Sequence, residues 1–468
     1  MEADSVLVAV LVLALLILLG KWIRRSSRVL GRLYVPSAIL AGVLALLAGP
    51  QGLGRLVPDD RLPTGLWSEA MLDTWSAMPG LLISVVFATL FLGKAIAPPG
   101  EIWEKAGPMV VHGQALAWGQ YVVGLLLVVL LLRPWTGIDP MAGALIEIGF
   151  EGGHGTAAGL GDTFRELGFA SGLDLALGMA TVGVVGGVLM GTILINWAVW
   201  RGHLEPPDEV SDDEAEAMSS PELLEEEKGR GFTDKALEPL SIHLGFVAVA
   251  IGVGWLLLEA LILAERHLLV PLGWPELMEH IPLFPLAMVG GVLTQLVGMK
   301  TGFAELIDRG LMNRIGGLSL DLLIVAALGT LSLDVLGENL PVLVVLILGG
   351  IAWNLFGFWI LARLLFPENW VANGLANFGQ GMGMTVVGLL LVRMADPRNR
   401  SGAMEAFGYK QLLFEPVVGG GLFTAASLPL IYEFGPVPVL AGTGALMVGW
   451  LLFGLWRFGP WSNRNTSS

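Results

Sequence analysis

The chain has 468 residues, of which 54% are hydrophobic and only 14% charged, with 64 glycines and a mean hydropathy of +0.72. This composition excludes a soluble globular protein and predicts an all-α polytopic membrane protein. With no cysteine present, disulfides, thiolate metal sites and cysteine nucleophiles are excluded as well.

The net charge of −15 is concentrated in one place, because residues 201–238 hold thirteen acids and four bases. That stretch, with Pro206, Pro207, Asp212, Asp213 and Glu225 to Glu227, has few aromatics and no apolar period. It reads as a solvated acidic linker between two halves. At the N-terminus, Glu2 and Asp4 precede the first apolar run and the basic residues follow it, the reverse of the order in a cleaved signal. The first segment is therefore expected to be a retained helix.

In chain order, apolar runs long enough to cross a bilayer fall at 4–20, 35–54, 70–92, 107–132 and 172–200, with a hairpin near 140–169. After the linker come 240–264, 281–298, 315–335, 340–363 and 401–431, with a hairpin near 368–394, and a last span at 436–456. Residues 1–200 and 239–431 thus read as two repeats, each of five transmembrane helices with a re-entrant hairpin. Residues 432–468 read as an extra C-terminal helix and tail.

Several matches in the same order support a duplication. Pro36, Ala38, Gly42, Val43 and Leu44 recur as Pro285, Ala287, Gly291, Val292 and Leu293. Ala117 and Trp118 recur as Ala352 and Trp353, and the glycines at 183, 186 and 187 recur near 419–421. The hairpins match too: EGGHGTAAG, Glu151 to Gly159, sets Gly153, His154 and Gly155 opposite Gly379, Gln380 and Gly381 of NFGQGMGMT. Five crossings per repeat is an odd number, so the repeats are expected to enter the membrane from opposite sides. Lys21, Arg24, Arg25, Arg28 and Arg32 put the first loop in the cytoplasm, the N-terminus outside and the C-terminus inside.

Non-helical backbone survives at membrane depth only where protein or a water-filled cavity satisfies its amides and carbonyls. Paired glycine-rich interruptions in two halves therefore point to the substrate site of a secondary transporter. Glycines at 152, 153 and 155 allow a tight turn that bares amide groups, and the helix start near Thr156 suits an anion. Carbonyl oxygens of the opposed tip, with Thr385, suit sodium as a hard cation. His154 and Gln380 stand between glycines, where each donates to a substrate, bridges the tips, or is satisfied by neighbouring carbonyls. Glu147, Glu151, Asp321 and Glu415 are ionisable groups inside expected membrane segments and hence ion-coupling candidates, with Asn377 beside them. Glu147 and Glu151 are four apart, one turn of helix, so both face one cavity if that arm is helical. No phosphate loop, HExxH or serine elbow is present, so no enzyme and no cofactor is expected. Two alternatives stay open beside a sodium-coupled transporter. One is a proton-coupled transporter or exporter using Glu151, Glu415 and His154; the other is an intramembrane enzyme or sensor.

The segments VPSAILAG, GGHGTAAG with the following GMATVGVVGGVLMG, RIGGLSLDLLIVAALGTL, and NFGQGMGMTVVG followed by GYKQLLFEPVVGG resemble the bacterial sodium/glutamate symporters. The likeness runs from about residue 5 to 431, and the architecture is also similar to that of the 2-hydroxycarboxylate transporters. The resemblance implies inverted five-helix repeats that import an amino-acid anion with sodium across the cytoplasmic membrane. It assigns substrate or ion contacts to Gly152, Gly153, His154, Gly155 and Thr156, and to Gly379, Gln380, Gly381, Gly383 and Thr385. Transporters of this kind often dimerise, so a homodimer is one expectation. The chain departs from the family pattern at Glu151, where a small hydroxyl residue is usual, and at Glu415. It also lacks a glycine-alanine-threonine-proline run in the second hairpin.

Overall fold

The computed structural model describes residues 3–27, 30, 35–56, 63–204, 239–366, 368–398 and 400–459. The acidic stretch expected at 201–238 therefore lies almost wholly outside the described residues. Among the described residues every element is helical, and eleven helices are long and apolar enough to cross a membrane. The first half contributes α1 (Ala3–Ser26), α2 (Ser37–Ala48), α3 (Glu69–Thr89), α4 (Pro99–Leu127) and α5 (Gly172–Trp200). The second contributes α6 (Pro239–Ala264), α7 (Leu283–Thr301), α8 (Arg309–Gly329), α9 (Leu340–Phe356), α10 (Trp370–Ala395), α11 (Ala403–Phe414), α12 (Leu422–Phe434) and α13 (Pro436–Arg457). Many of these helices are apolar on their outer faces too. Leu7, Leu11, Leu15, Leu18 and Trp22 of α1 are all exposed, as lipid-facing side chains must be.

One sequence expectation is corrected. The apolar run at 401–431 is not a single helix but α11 and α12, separated by a turn over residues 415–421. Pro416 cannot donate to a helix ladder, and Gly419 and Gly420 take φ of 72° and 101°, which a run of side-chain-bearing residues resists.

Both segments expected as hairpins contain a break. In residues 145–166 the helical path is interrupted at Gly153, with φ 71° and ψ −166°. In α10 the helical angles are lost at Gly383 (φ −151°, ψ 48°) and Met384 (φ 65°, ψ 175°). The arms of α10 then fold back on each other. A Cβ at Gly379 would lie 2.7 Å from Gly388 Cα, and one at Gly388 would lie 2.5 Å from the Ala376 carbonyl oxygen. Straight helix would keep residues nine apart separated by roughly 13 Å.

The chain divides into two compact units, each drawing on both halves. One comprises α1–α3 and α6–α8. Its helices approach through glycines: a Cβ at Gly254 or Gly290 would sit 2.5 Å or 2.0 Å from backbone oxygens of the facing helix. Between hydrocarbon-solvated helices such close packing supplies the attraction that the hydrophobic effect does not. Gly42 of α2 lies against Leu328 of α8, and Gly291 of α7 lies against the Ala88 carbonyl of α3. Trp75 donates its indole N–H to the Ala9 carbonyl at 3.1 Å, tying α3 to α1.

The other unit comprises α4, α5 and α9–α13 with the broken segment 145–166. Gly183 and Gly187 of α5 leave the space that Met382 occupies beside the α10 break, the first with its Cβ position 2.3 Å from the Met382 carbonyl oxygen. Gly119 of α4 accommodates the Trp353 ring, whose indole N–H reaches the Leu116 carbonyl at 2.9 Å.

Gly290→Ala is expected to destabilise the protein by about 1–3 kcal/mol, because its new methyl meets the Ala250 carbonyl. Gly252→Ala, with nothing within 4 Å of its Cβ position, should melt with the wild type. Thermal melting in detergent checks the pair, and equal melting temperatures would contradict the packing account.

Candidate functional site

The two breaks meet inside the second unit. A Cβ on Gly153 would fall 2.0 Å from Met384 Sδ, so the bare glycine is what admits the side chain at the other break. Gly153 and Met384 also share nearly the same backbone angles. For Met384, a residue with a Cβ, that region is strained and persists only because its surroundings enforce it. The sequence alignment pairs Gly153 with Gly379, whereas the backbone interruption in α10 comes later, at Gly383 and Met384. Glycine spacing marks where two helices pack as readily as where one breaks, and Gly379 serves the packing of one α10 arm on the other.

The Gly381 carbonyl, beside the α10 break, is satisfied by two buried amides. Gln120 Nε2 of α4 and Asn354 Nδ2 of α9 both donate to the Gly381 carbonyl, at 2.7 Å and 2.9 Å, and Asn354 Nδ2 also reaches the Gly350 carbonyl. Those carbonyls fix the amide orientations, leaving Gln120 Oε1 and Asn354 Oδ1 buried without a partner. Thr156 Oγ1 and Glu151 Oε2 on the first broken segment are buried and unpartnered too. Unmet acceptors of this kind are costly in a dry interior and are the groups a cation or an N–H donor would satisfy.

The two first-segment acids differ. Glu147 is fully engaged: it accepts from Tyr121 Oη at 2.6 Å, from the Gly419 backbone N–H at 2.6 Å and from Thr424 Oγ1 at 2.8 Å. It fastens the glycine turn between α11 and α12 to the first broken segment. Glu151, one turn on, keeps an oxygen open. Glu415 accepts from Thr385 Oγ1 at 2.8 Å, which ties the same turn to the second arm of α10.

His154 is engaged by α5. Its Nε2 lies 3.0 Å from Thr181 Oγ1 on α5, and that hydroxyl gives its own proton to the Leu177 carbonyl, so the imidazole is the donor. Gln380 is paired with Gln411 of α11, each amide donating to the other, at 3.2 Å and 2.9 Å. Asn377 donates to His112 Nδ1 at 2.9 Å, while His112 Nε2 reaches the Gly357 carbonyl at 3.1 Å. Gly357 opens a π-helical turn, Gly357–Leu361, a form that recurs at functional sites. Asp321 lies on α8, in the other unit.

Lys410 of α11 escaped the sequence reading, as did Gln120, Tyr121, Asn354, His112 and Gln411. Lys410 is 1% exposed, and its ammonium donates to Asn377 Oδ1 and Gln380 Oε1 at 2.7 Å each. It rests 3.7 Å from the centre of the Phe414 ring. The signal was present in GYKQLLFEP, a lysine in an otherwise apolar run.

Glu147→Gln is expected to cost about 1.5–3 kcal/mol, because the amide puts a donor in place of one acceptor oxygen, so the Tyr121 hydroxyl must reverse its bond and the bonds from Gly419 and Thr424 go to a weaker acceptor. Thermal melting measures this, and an unchanged melting temperature would refute it. Gly379→Val should disrupt α10 altogether, seen as loss of monodisperse protein in detergent, since its Cβ meets Gly388 Cα at 2.7 Å.

No curated protein matches the chain. Residues 105–392 match the sodium/glutamate symporter family, a span that includes both breaks and the amides around them and covers more than half of the sequence. The chain is thus a multi-pass membrane protein, not an enzyme, and it belongs to the sodium/glutamate symporter family.

Proposed function

We propose that this protein imports glutamate with sodium by alternating access, and that the chamber around the Gly153 and Gly383–Met384 breaks is where both are bound. Family membership implies sodium-coupled glutamate transport. The observation that carries the location is the meeting of the two breaks, Gly153 against Met384 Sδ, with unpartnered oxygens of Gln120, Glu151, Thr156 and Asn354 around them. Sodium takes oxygen ligands, and the open Glu151 carboxylate repels a free substrate anion until a cation is bound. This order of loading couples the ion to the substrate.

In this reading the two halves are inverted repeats, and residues 140–169 and 368–394 are re-entrant hairpins entering from opposite faces. The near-identical backbone angles at Gly153 and Met384 support it. So does the fold-back of α10, and so does the reciprocal packing of α2 on α8 and α7 on α3. The basic loops support an external N-terminus and a cytoplasmic C-terminus, and the exposed apolar faces leave room for a homodimer. Gly152, Gly153, Gly155, Thr156, Gly381, Gly383 and Thr385 form the wall nearest the breaks. His154, Asn377, Gln380 and Gly379 hold it in shape.

Purified protein in liposomes tests this. Glutamate should accumulate only when a sodium gradient is imposed inward, and Gly153→Val should abolish uptake while still inserting into the membrane. Uptake driven equally by a proton gradient without sodium, or wild-type uptake by Gly153→Val, would contradict it.

A further inference from the structure

Lys410 is the only lysine or arginine buried among the described residues, and nothing in the transport scheme above uses it. An ammonium at membrane depth is costly and persists where it has work to do or a charge to meet. Two of its three N–H groups are spent on neutral amide oxygens, Asn377 Oδ1 and Gln380 Oε1, and the Phe407 and Phe414 rings lie beside it. Gly113 of α4 makes the room that the end of the lysine occupies, for a Cβ there would lie 2.6 Å from Nζ and 2.4 Å from Cε.

We propose that Lys410 anchors a carboxylate of the substrate and makes the chamber select an acidic amino acid over its amides; this rests on the glutamate-import reading. An entering glutamate meets three carboxylates, those of Glu147, Glu151 and Glu415. Glu147 is occupied by three donors and Glu415 by Thr385. Glu151 retains an open oxygen, the one that the bound cation takes first. Across that cation it then faces the substrate's ammonium side only as residual negative charge. The complementary fixed positive charge is Lys410, held by neutral partners that leave its charge to act on a ligand. A lysine and an acid presented from separate segments match the opposite charges of an amino acid. Replacing a substrate carboxylate by an amide then leaves the ammonium without its anion, the kind of mismatch a built polar site rejects most strongly.

The test is inhibition of sodium-driven glutamate uptake into liposomes by glutamate, by glutamine and by isoglutamine, which lacks the α-carboxylate. In Lys410→Met, discrimination against one of the two amides should fall by about tenfold or more, the size of a lost charged hydrogen bond. Half-saturation by sodium should stay within about twofold. A lysine that only neutralised Glu151 and Glu415 would weaken all three compounds alike. Gly113→Ala keeps the lysine but crowds its ammonium; it should erode the same discrimination, and it carries the test if Lys410→Met does not fold. Discrimination against both amides unchanged in the variants, with normal wild-type uptake, overturns the assignment alone. Absence of sodium-driven glutamate uptake by the wild type overturns the assignment and the proposed function together.

Discussion

Backbone that leaves the helix inside an apolar interior must find partners for its freed amides and carbonyls, and the second unit is organised by that requirement. Three irregular points have buried side chains assigned to them. Gln120 and Asn354 attend to Gly381, His112 to Gly357, and Glu147 to Gly419. The side chains that do this come from α4, α9 and the first broken segment, so the breaks can exist only where those elements come together. Satisfying one backbone carbonyl with two amides leaves two carbonyl oxygens over. The unmet oxygens beside the break follow from the same bonds that stabilise it.

The glycines have three separable uses, and only one concerns the breaks. At Gly153 and Gly419 the residue supplies a backbone conformation that side chains resist. At Gly254 and Gly290 it lets two helices touch, and at Gly379 and Gly388 it lets α10 lie on itself. At Gly113 and Gly119 it makes room for a specific large side chain, Lys410 or Trp353. Met384 shows the converse, a residue with a side chain held where glycine would be easier, and its side chain fills the gap that Gly153 leaves.

Much of this was legible beforehand, because spans, composition and the paired glycine motifs depend on local chemistry. The long apolar runs and the positions of Glu147, Glu151 and Glu415 needed only the cost of charge in hydrocarbon. The exact break in α10 was not legible, since Gly379, Gly381 and Gly383 look alike in a sequence and differ only in what they touch. The split of 401–431 into α11 and α12 was signalled by Pro416 and Gly419 to Gly421 but masked by the length of the apolar run. The roles of His154 and Gln380 were open for a related reason. Nothing local says that His154 meets Thr181 or that Gln380 pairs with Gln411. Lys410 was missed because its partners, Asn377 and Gln380, are some thirty residues away in sequence.

The central claim is that two interrupted helices come together to form one binding chamber. An experimental density map of the protein with sodium and glutamate bound tests it most directly. The account predicts glutamate within hydrogen-bond reach of residues on both 145–166 and 370–395, beside Gly153 and Met384. Glutamate found elsewhere, or with only one of the two segments lining it, would contradict the account.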